Sequence, residues 1–375
     1  MKNNQKVALI FGTRPEIIKL SPLIRLFQKK KMPYFLIHSG QHYTYEMDKL
    51  FFKDLELPEP KYKLGGKSVN AAGQSDHVGQ IAAGIEAVLL RERPRFALVQ
   101  GDTNTVLAGA LTASKMNTSA DREAKGICIG HVEAGLRSYD RRMPEEINRF
   151  VTDHLSELLF APTPLAKKIL IKEGVPPKKI FMTGNTIVDA VLHNLKLAKK
   201  KSSILQRLRL KKKGFFVLTL HRQENVDHPH RLKKILEGLR AVADLYKQEV
   251  IFPIHPRTLK KIEDFNLKIP SGVRVMKPVG FLDFLALESS ARLLLTDSGG
   301  VQEESMILGV PCVTLRDNTE RPETVLCGAN RLAGVEPNKI LRSVKAMLAG
   351  GRTWKNVLGD GKAAERIFKI LRDHN

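Results

Sequence analysis

The sequence predicts an α/β protein made of two doubly wound halves, each carrying a parallel sheet. Two observations predict it. Short apolar, β-branched runs alternate with Gly-rich or polar turns and amphipathic stretches, as parallel strands joined by helices do. The alternation then restarts near Phe215, and 375 residues are more than one ordinary core holds.

The elements follow in order. Val7–Phe11 is a strand that passes through Gly12-Thr13-Arg14-Pro15-Glu16 into the helical stretch Ile17–Phe27. Phe35–His38 ends at Ser39-Gly40-Gln41-His42. Phe96–Val99 runs through Gln100-Gly101-Asp102-Thr103 into a small-residue helix, Val106–Ser114. Ile127–Ile129 leads into His131-Val132-Glu133-Ala134-Gly135. Leu195–Gly214 has many basic residues and no acidic one, and reads as a helix tail and surface loop near the domain boundary. Beyond it, Phe215–Leu220 ends at His221-Arg222-Gln223-Glu224-Asn225, and Val250–Ile254 ends at His255-Pro256. Leu293–Thr296 ends at Asp297-Ser298-Gly299-Gly300, followed by the helix Val301–Leu308 and the strand Cys312–Leu315. In such sheets ligands bind at the carboxyl ends of strands, so the polar turns carry the functional argument.

Composition bounds the function. Hydrophobic residues are 42% and charged residues 27%, a globular balance. Lys plus Arg is 62 against 39 Asp plus Glu, a formal charge of +23, which predicts attraction to polyanions or phosphate-bearing small molecules. The basic run Lys196–Lys213 has no aromatic residue to stack on bases, so nucleic-acid binding is the minor reading. Cys128, Cys312 and Cys327 are scattered among apolar residues and suit neither a disulfide framework nor a zinc site. His38 with His42, and His228 with His230, lack the carboxylates or cysteines of a metal site. No run approaches the ~18 apolar residues of a membrane span, and Val7–Phe11 is too short for a signal peptide. A cytoplasmic protein is expected.

Arg14 lies at a strand-to-helix turn, where an anion is favoured. Ser298-Gly299-Gly300 offers backbone N–H groups at a helix start, which suits a diphosphate, and Glu304 one turn on suits sugar hydroxyls. The plainer alternative is a Gly-rich turn with Ser298 as a helix cap. Asp102, Glu133, Glu145 and Glu146 sit in or beside polar loops of a basic chain. Glu145 and Arg149, at i and i+4, share a helix face, as an ordinary surface pair or as a carboxylate tuned by a cation. His221 among Arg222, Glu224 and Asn225 reads as a site residue.

Together these blocks resemble the non-hydrolysing UDP-N-acetylglucosamine 2-epimerases. The likeness rests on Gly12 to Glu16, Ser39 to His42, Gly101 to Thr103, Gly130 to Arg137, Pro144 to Arg149, Thr183 to Thr186, His221 to Asn225, Thr296 to Glu304, Thr319 to Glu323 and Gly359 to Gly361, in order over nearly the whole chain. The resemblance implies a glycosyltransferase-B-like fold: a Rossmann-like domain over 1–184, completed by a helix over 360–375, and a UDP-binding domain over 185–359, facing across a cleft. It implies interconversion of UDP-N-acetylglucosamine and UDP-N-acetylmannosamine without metal or nicotinamide, through 2-acetamidoglucal. It makes Asp102, Glu133, Glu145 and His221 catalytic. Arg14, Lys19, Arg149, Phe284, Ser298, Gly299, Gly300, Glu304 and Arg321 become substrate-binding, with Phe284 near uracil and Glu304 on ribose. Gln41, His42, Arg222 and His255 match a regulatory substrate site of bacterial members. There the bacterial members carry an Arg before a Gln, and this chain has Gly73 before Gln74. A homodimer is usual in the family. The rival enzymes are an epimerase of a related UDP-acetamido sugar and a UDP-sugar glycosyltransferase of the same fold. The rival outside enzymes is a polyanion-binding protein.

Overall fold

The computed structural model describes residues 6–40, 45–65, 73–117, 126–351 and 353–374. It divides into two compact units, Met1–Ala190 with Leu358–Asn375, and Val191–Val357.

The first unit holds a seven-stranded parallel sheet. In chain order its strands are β1 (Val7–Phe11), β2 (Tyr34–His38), β3 (Tyr62–Lys63), β4 (Phe96–Gln100), β5 (Cys128–Val132), β6 (Leu158–Ala161) and β7 (Ile180–Met182). Their spatial order is β3-β2-β1-β4-β5-β6-β7. Every residue of β1, β4 and β5 is buried, because helices cover both faces of a parallel sheet. The order reverses between β1 and β4, and that switch point is where such a sheet opens a crevice. Gly12-Thr13 leaves β1 there, and Gly101-Asp102-Thr103 leaves β4.

β5 is longer than the sequence suggests, since it runs on through His131 and Val132. A buried strand accepts His131 because both ring nitrogens face acceptors. Nδ1 lies 2.7 Å from Asp153 Oδ1, and Nε2 lies 2.8 Å from the Gly101 carbonyl. The helix Arg14–Lys30 buries Ile17, Leu20, Leu23, Ile24 and Phe27. Against it packs the helix Ala363–Asp373, which buries Ile367, Phe368 and Leu371, with the Phe27 and Phe368 rings 6.1 Å apart. Asp189 caps this second helix by accepting the backbone N–H groups of Ala363 and Ala364 at 3.2 and 3.0 Å.

The second unit repeats the plan with six parallel strands. They are β8 (Phe216–Thr219), β9 (Val250–Pro253), β10 (Val273–Met276), β11 (Leu293–Thr296), β12 (Cys312–Thr314) and β13 (Asn330–Leu332), in the spatial order β10-β9-β8-β11-β12-β13. Its switch point falls between β8 and β11, whose ends carry His221-Arg222 and Asp297-Ser298. The basic stretch Leu195–Gly214 begins as the expected helix tail, and holds one further helix that the sequence did not suggest. It completes the helix Thr186–Lys201 and forms a short helix, Ile204–Arg207, whose Ile204 is buried with Phe215 and Val217. Among the described residues no helix is long and apolar enough to cross a membrane.

Candidate active site

In the first unit two carboxylates stand at the ends of neighbouring strands, each on its own cation. Gly101, at φ +85°, takes a left-handed conformation that glycine adopts without strain, and the chain turns sharply out of β4 into Asp102. Arg149 then grips Asp102 Oδ2 with Nε at 2.9 Å and Nη2 at 2.6 Å. Asn148 donates to the Asp102 carbonyl at 2.9 Å, which fixes the backbone as well. Both partners come from the first turns of the helix Pro144–Leu155.

Glu133 follows β5 directly and sits at φ +74°, a strained position for a side chain of its size. Lys19 donates to both of its oxygens at 2.7 Å, and Gln100 donates to Oε2. The Glu133 and Lys19 side chains are only 2% and 8% exposed, against 27% for Asp102. Asp102 is therefore the more accessible carboxylate, and Glu133 is held deep in a buried ion pair.

Glu145 is half-buried in the first turn of the same helix. Arg149, which the sequence spacing sets opposite Glu145, makes its close ion pairs at Asp102 and at Glu146, both at 2.6 Å. Glu146 also accepts the backbone N–H groups of Ser138 and Tyr139 and the Ser138 hydroxyl. Burial would raise the Glu146 carboxyl, but these donors and Arg149 outweigh it and hold it below its ordinary value. Arg14 opens the helix Arg14–Lys30 with its guanidinium 5.9 Å from the Phe51 ring centroid.

One residue here has no role in the sequence reading. Glu16 is buried, and it accepts the N–H groups of Gly12 at 2.5 Å and Thr13 at 2.9 Å and the Thr103 hydroxyl. It thus staples the turn after β1 to the turn after β4. The spacing Thr13-x-x-Glu16, a helix-capping pattern, was the available signal. Burial pushes its carboxyl up from 4.5 to about 7, with Asp102 adding to the rise and the three hydrogen bonds opposing it. A raised acid holds its proton more firmly in the folded state than in the unfolded chain. The fold therefore loses stability as pH climbs from 4.5 to about 7, by about 3 kcal/mol from this group. Urea denaturation of wild type and Glu16→Gln checks this. The stability of wild type minus that of the variant should fall by about that amount between acid and pH 8, and a flat difference would refute it.

In the second unit Asp297 is the hub. It is fully buried, and it accepts the backbone N–H groups of His221 at 3.1 Å and Arg222 at 2.9 Å and the Asn225 amide at 3.3 Å. It thereby fixes the turn after β8 against the turn after β11. The His221 side chain is left 44% exposed, its Nδ1 3.5 Å from Asp297. Ser298 is the N-cap of the helix Gly299–Leu308, yet its side chain makes no capping hydrogen bond. A Cβ at Gly299 would stand 2.5 Å from Glu320 Oε1, so any larger residue there must push that carboxylate off its arginines. Glu320 pairs with Arg222 at 3.1 Å and Arg316 at 2.8 Å. Burial would raise its carboxyl, but the charges of Arg321, Arg222 and Arg316 hold it far below the usual range. Arg321 is itself buried, with Nε 2.8 Å from Glu303. Phe284 packs on the apolar cluster that contains Phe215 and Leu287. Glu304 is nearly buried on the helix Gly299–Leu308.

Of the residues matched to a regulatory site, Arg222 is engaged with Glu320, and His255 begins the helix Pro256–Asp264. The His255 imidazole is lowered by burial, then by the charges of His221 and Arg257. Gln41 and His42, and residues 66–72 before Gly73, lie outside the described residues. Among the described residues no group of three or more His, Cys, Asp or Glu is arranged to hold a metal ion.

Comparison with known proteins identifies the family and the fold. The sequence model of a family described as UDP-N-acetylglucosamine 2-epimerase covers residues 25–372. The UDP-N-acetylglucosamine 2-epimerase of Methanocaldococcus jannaschii is 52% identical over 372 residues, spanning 98% of each chain. A crystal structure of the M. jannaschii UDP-GlcNAc 2-epimerase in complex with UDP-GlcNAc and UDP superposes with a TM-score of 0.88, at 51% identity over 98% of this chain and 99% of that one. A glycosyltransferase of kitacinnamycin shares the fold alone, at 12% identity and a TM-score of 0.57 over 99% of this chain and 95% of that one.

Proposed function

The chain belongs to the UDP-N-acetylglucosamine 2-epimerase family, and we propose on that premise that it interconverts UDP-N-acetylglucosamine and UDP-N-acetylmannosamine by inverting sugar C2. The fold is α/β and glycosyltransferase-B-like. The observation that carries the reading is the pair of cation-held carboxylates, Asp102 on Arg149 and Glu133 on Lys19, at the ends of adjacent strands.

The chemistry explains why such a pair is useful. No carbonyl adjoins C2, so its proton is not acidic in the ground state. As the C1–O bond to the diphosphate breaks, the ring gains oxocarbenium character and the C2 proton becomes removable. Loss of UDP and of that proton leaves 2-acetamidoglucal. Adding UDP back, with a proton delivered to the other face, gives the epimer. No net electron transfer occurs, so the reaction needs no redox carrier.

Asp102, Glu133 and Glu145 stabilise the cationic ring and exchange the C2 proton. The exposure of Asp102 supports it as the carboxylate nearest the sugar. Arg14, Arg321 and the Ser298-Gly299-Gly300 helix start bind the departing diphosphate, with His221 at its side. Lys19 and Arg149 hold the carboxylates, Phe284 supports uracil and Glu304 takes the ribose hydroxyls. Arg222 and His255 belong, on the resemblance alone, to a second substrate site. On the same basis the enzyme is a cytoplasmic homodimer.

Proton NMR of UDP-N-acetylglucosamine in D2O tests the reading. Deuterium should enter C2 of both epimers, with C3 to C5 unchanged. Conversion that kept the original C2 proton would sink the acid/base route, and a C4 epimer would sink the reaction.

A further inference from the structure

The second unit contains a fully buried acid that no step above uses. Glu288 lies near the end of the helix Phe281–Ser290, which packs against the helix Gly299–Leu308 that carries Glu304. Glu288 is 0% exposed, and neither of its oxygens receives a hydrogen bond from a donor group. What it faces, within side-chain hydrogen-bonding reach, is the carboxyl of Glu304. Cys312 is close by, its thiol pushed up to about 12 by burial and kept neutral.

A carboxylate with no protein donor, shut off from bulk solvent, does not stay ionised. Two facing carboxyls hold one proton between them, and the more buried member keeps it. Burial, and next the Glu304 charge, push Glu288 well above the carboxylate range. Glu304 is 7% exposed against 0% for Glu288, and so is the less buried of the two. A well-packed apolar residue would fill the Glu288 position without the cost of burying an acid. The acid supplies what an apolar side chain lacks, an O–H aimed at Glu304.

We infer that Glu288 is a positioning residue: a neutral carboxylic acid that donates its proton to Glu304 and so orients the Glu304 carboxylate for the ribose hydroxyls of the nucleotide. The inference rests on the assignment of ribose to Glu304 made above.

Calorimetric titration with UDP and with 2′-deoxy-UDP separates orientation from bulk. Wild type should prefer UDP by about 10- to 100-fold, the scale of a lost hydrogen bond to a charged group. Glu288→Met should bring that preference toward one while leaving affinity for 2′-deoxy-UDP within about threefold, because only the ribose contact is disturbed. Glu288→Leu makes the same deletion should the Met variant not fold. Glu288→Gln retains an N–H donor and should keep the preference within about threefold of wild type. A Met or Leu variant that kept the full preference would overturn the inference, as would a Gln variant that lost it along with Met. A wild type with no preference would remove the ribose assignment of Glu304, and this inference with it.

Discussion

Asp102→Asn lowers turnover by roughly 10²–10⁴-fold, the scale of a lost general acid/base group, while UDP affinity and thermal stability change little. Asparagine keeps the shape and can still accept from Arg149, but it holds neither the charge nor the exchangeable proton. Arg149 is not stranded by the change, because Glu146 remains on Nη1 at 2.6 Å. Losing a negative charge cannot weaken a bound anion. A turnover assay, titration with UDP and a melting curve on one preparation check all three parts. Turnover at the wild-type rate would remove Asp102 from the chemistry.

Glu133→Gln costs turnover on the same scale but also costs stability, because its partner is buried. The Lys19 side chain is 8% exposed, and its ammonium donates to both Glu133 oxygens. An amide in their place takes away the countercharge that this buried ammonium holds on both oxygens, a loss of about 3–5 kcal/mol. Adding Lys19→Met to Glu133→Gln removes the buried ammonium as well and should restore most of the stability, with turnover still low. Chemical denaturation and initial rates on the two single variants and the double variant decide it. If turnover returned together with stability, Glu133 would be a structural ion pair and nothing more.

These two residues also mark how far the sequence could be read. Asp102 and Glu133 stand in polar turns after short apolar runs, and periodicity exposes such positions. The central strands were legible for the same reason, since β1, β4, β8 and β11 are nearly continuous apolar runs. Edge strands were not. β3 spans two residues, and β13 is Asn-Arg-Leu, too short and too polar for any period to register. β5 was read short because His131 looks like a turn residue until Asp153 and the Gly101 carbonyl are seen beside it. Partners brought together only by folding were equally hidden. Asp297 gathers the turn after β8 from more than 70 positions away along the chain and is named in the sequence only as part of a Gly-rich turn. Arg149 chose Glu146 at i+3 spacing as well as Asp102 across the fold, and helix-face arithmetic alone favours neither.

The helix Ala363–Asp373 sets a timetable for synthesis. Its Ile367, Phe368 and Leu371 cover a face of the helix Arg14–Lys30, which leaves the ribosome first. Between the two parts of the first unit lies the whole of Val191–Val357, so the helix Arg14–Lys30 waits on the order of ten seconds for its cover at ordinary elongation rates. During that interval Phe27 and its neighbours lack the cover of Phe368, while the second unit, contiguous in sequence, is being completed. The chain thus completes its later unit before its earlier one.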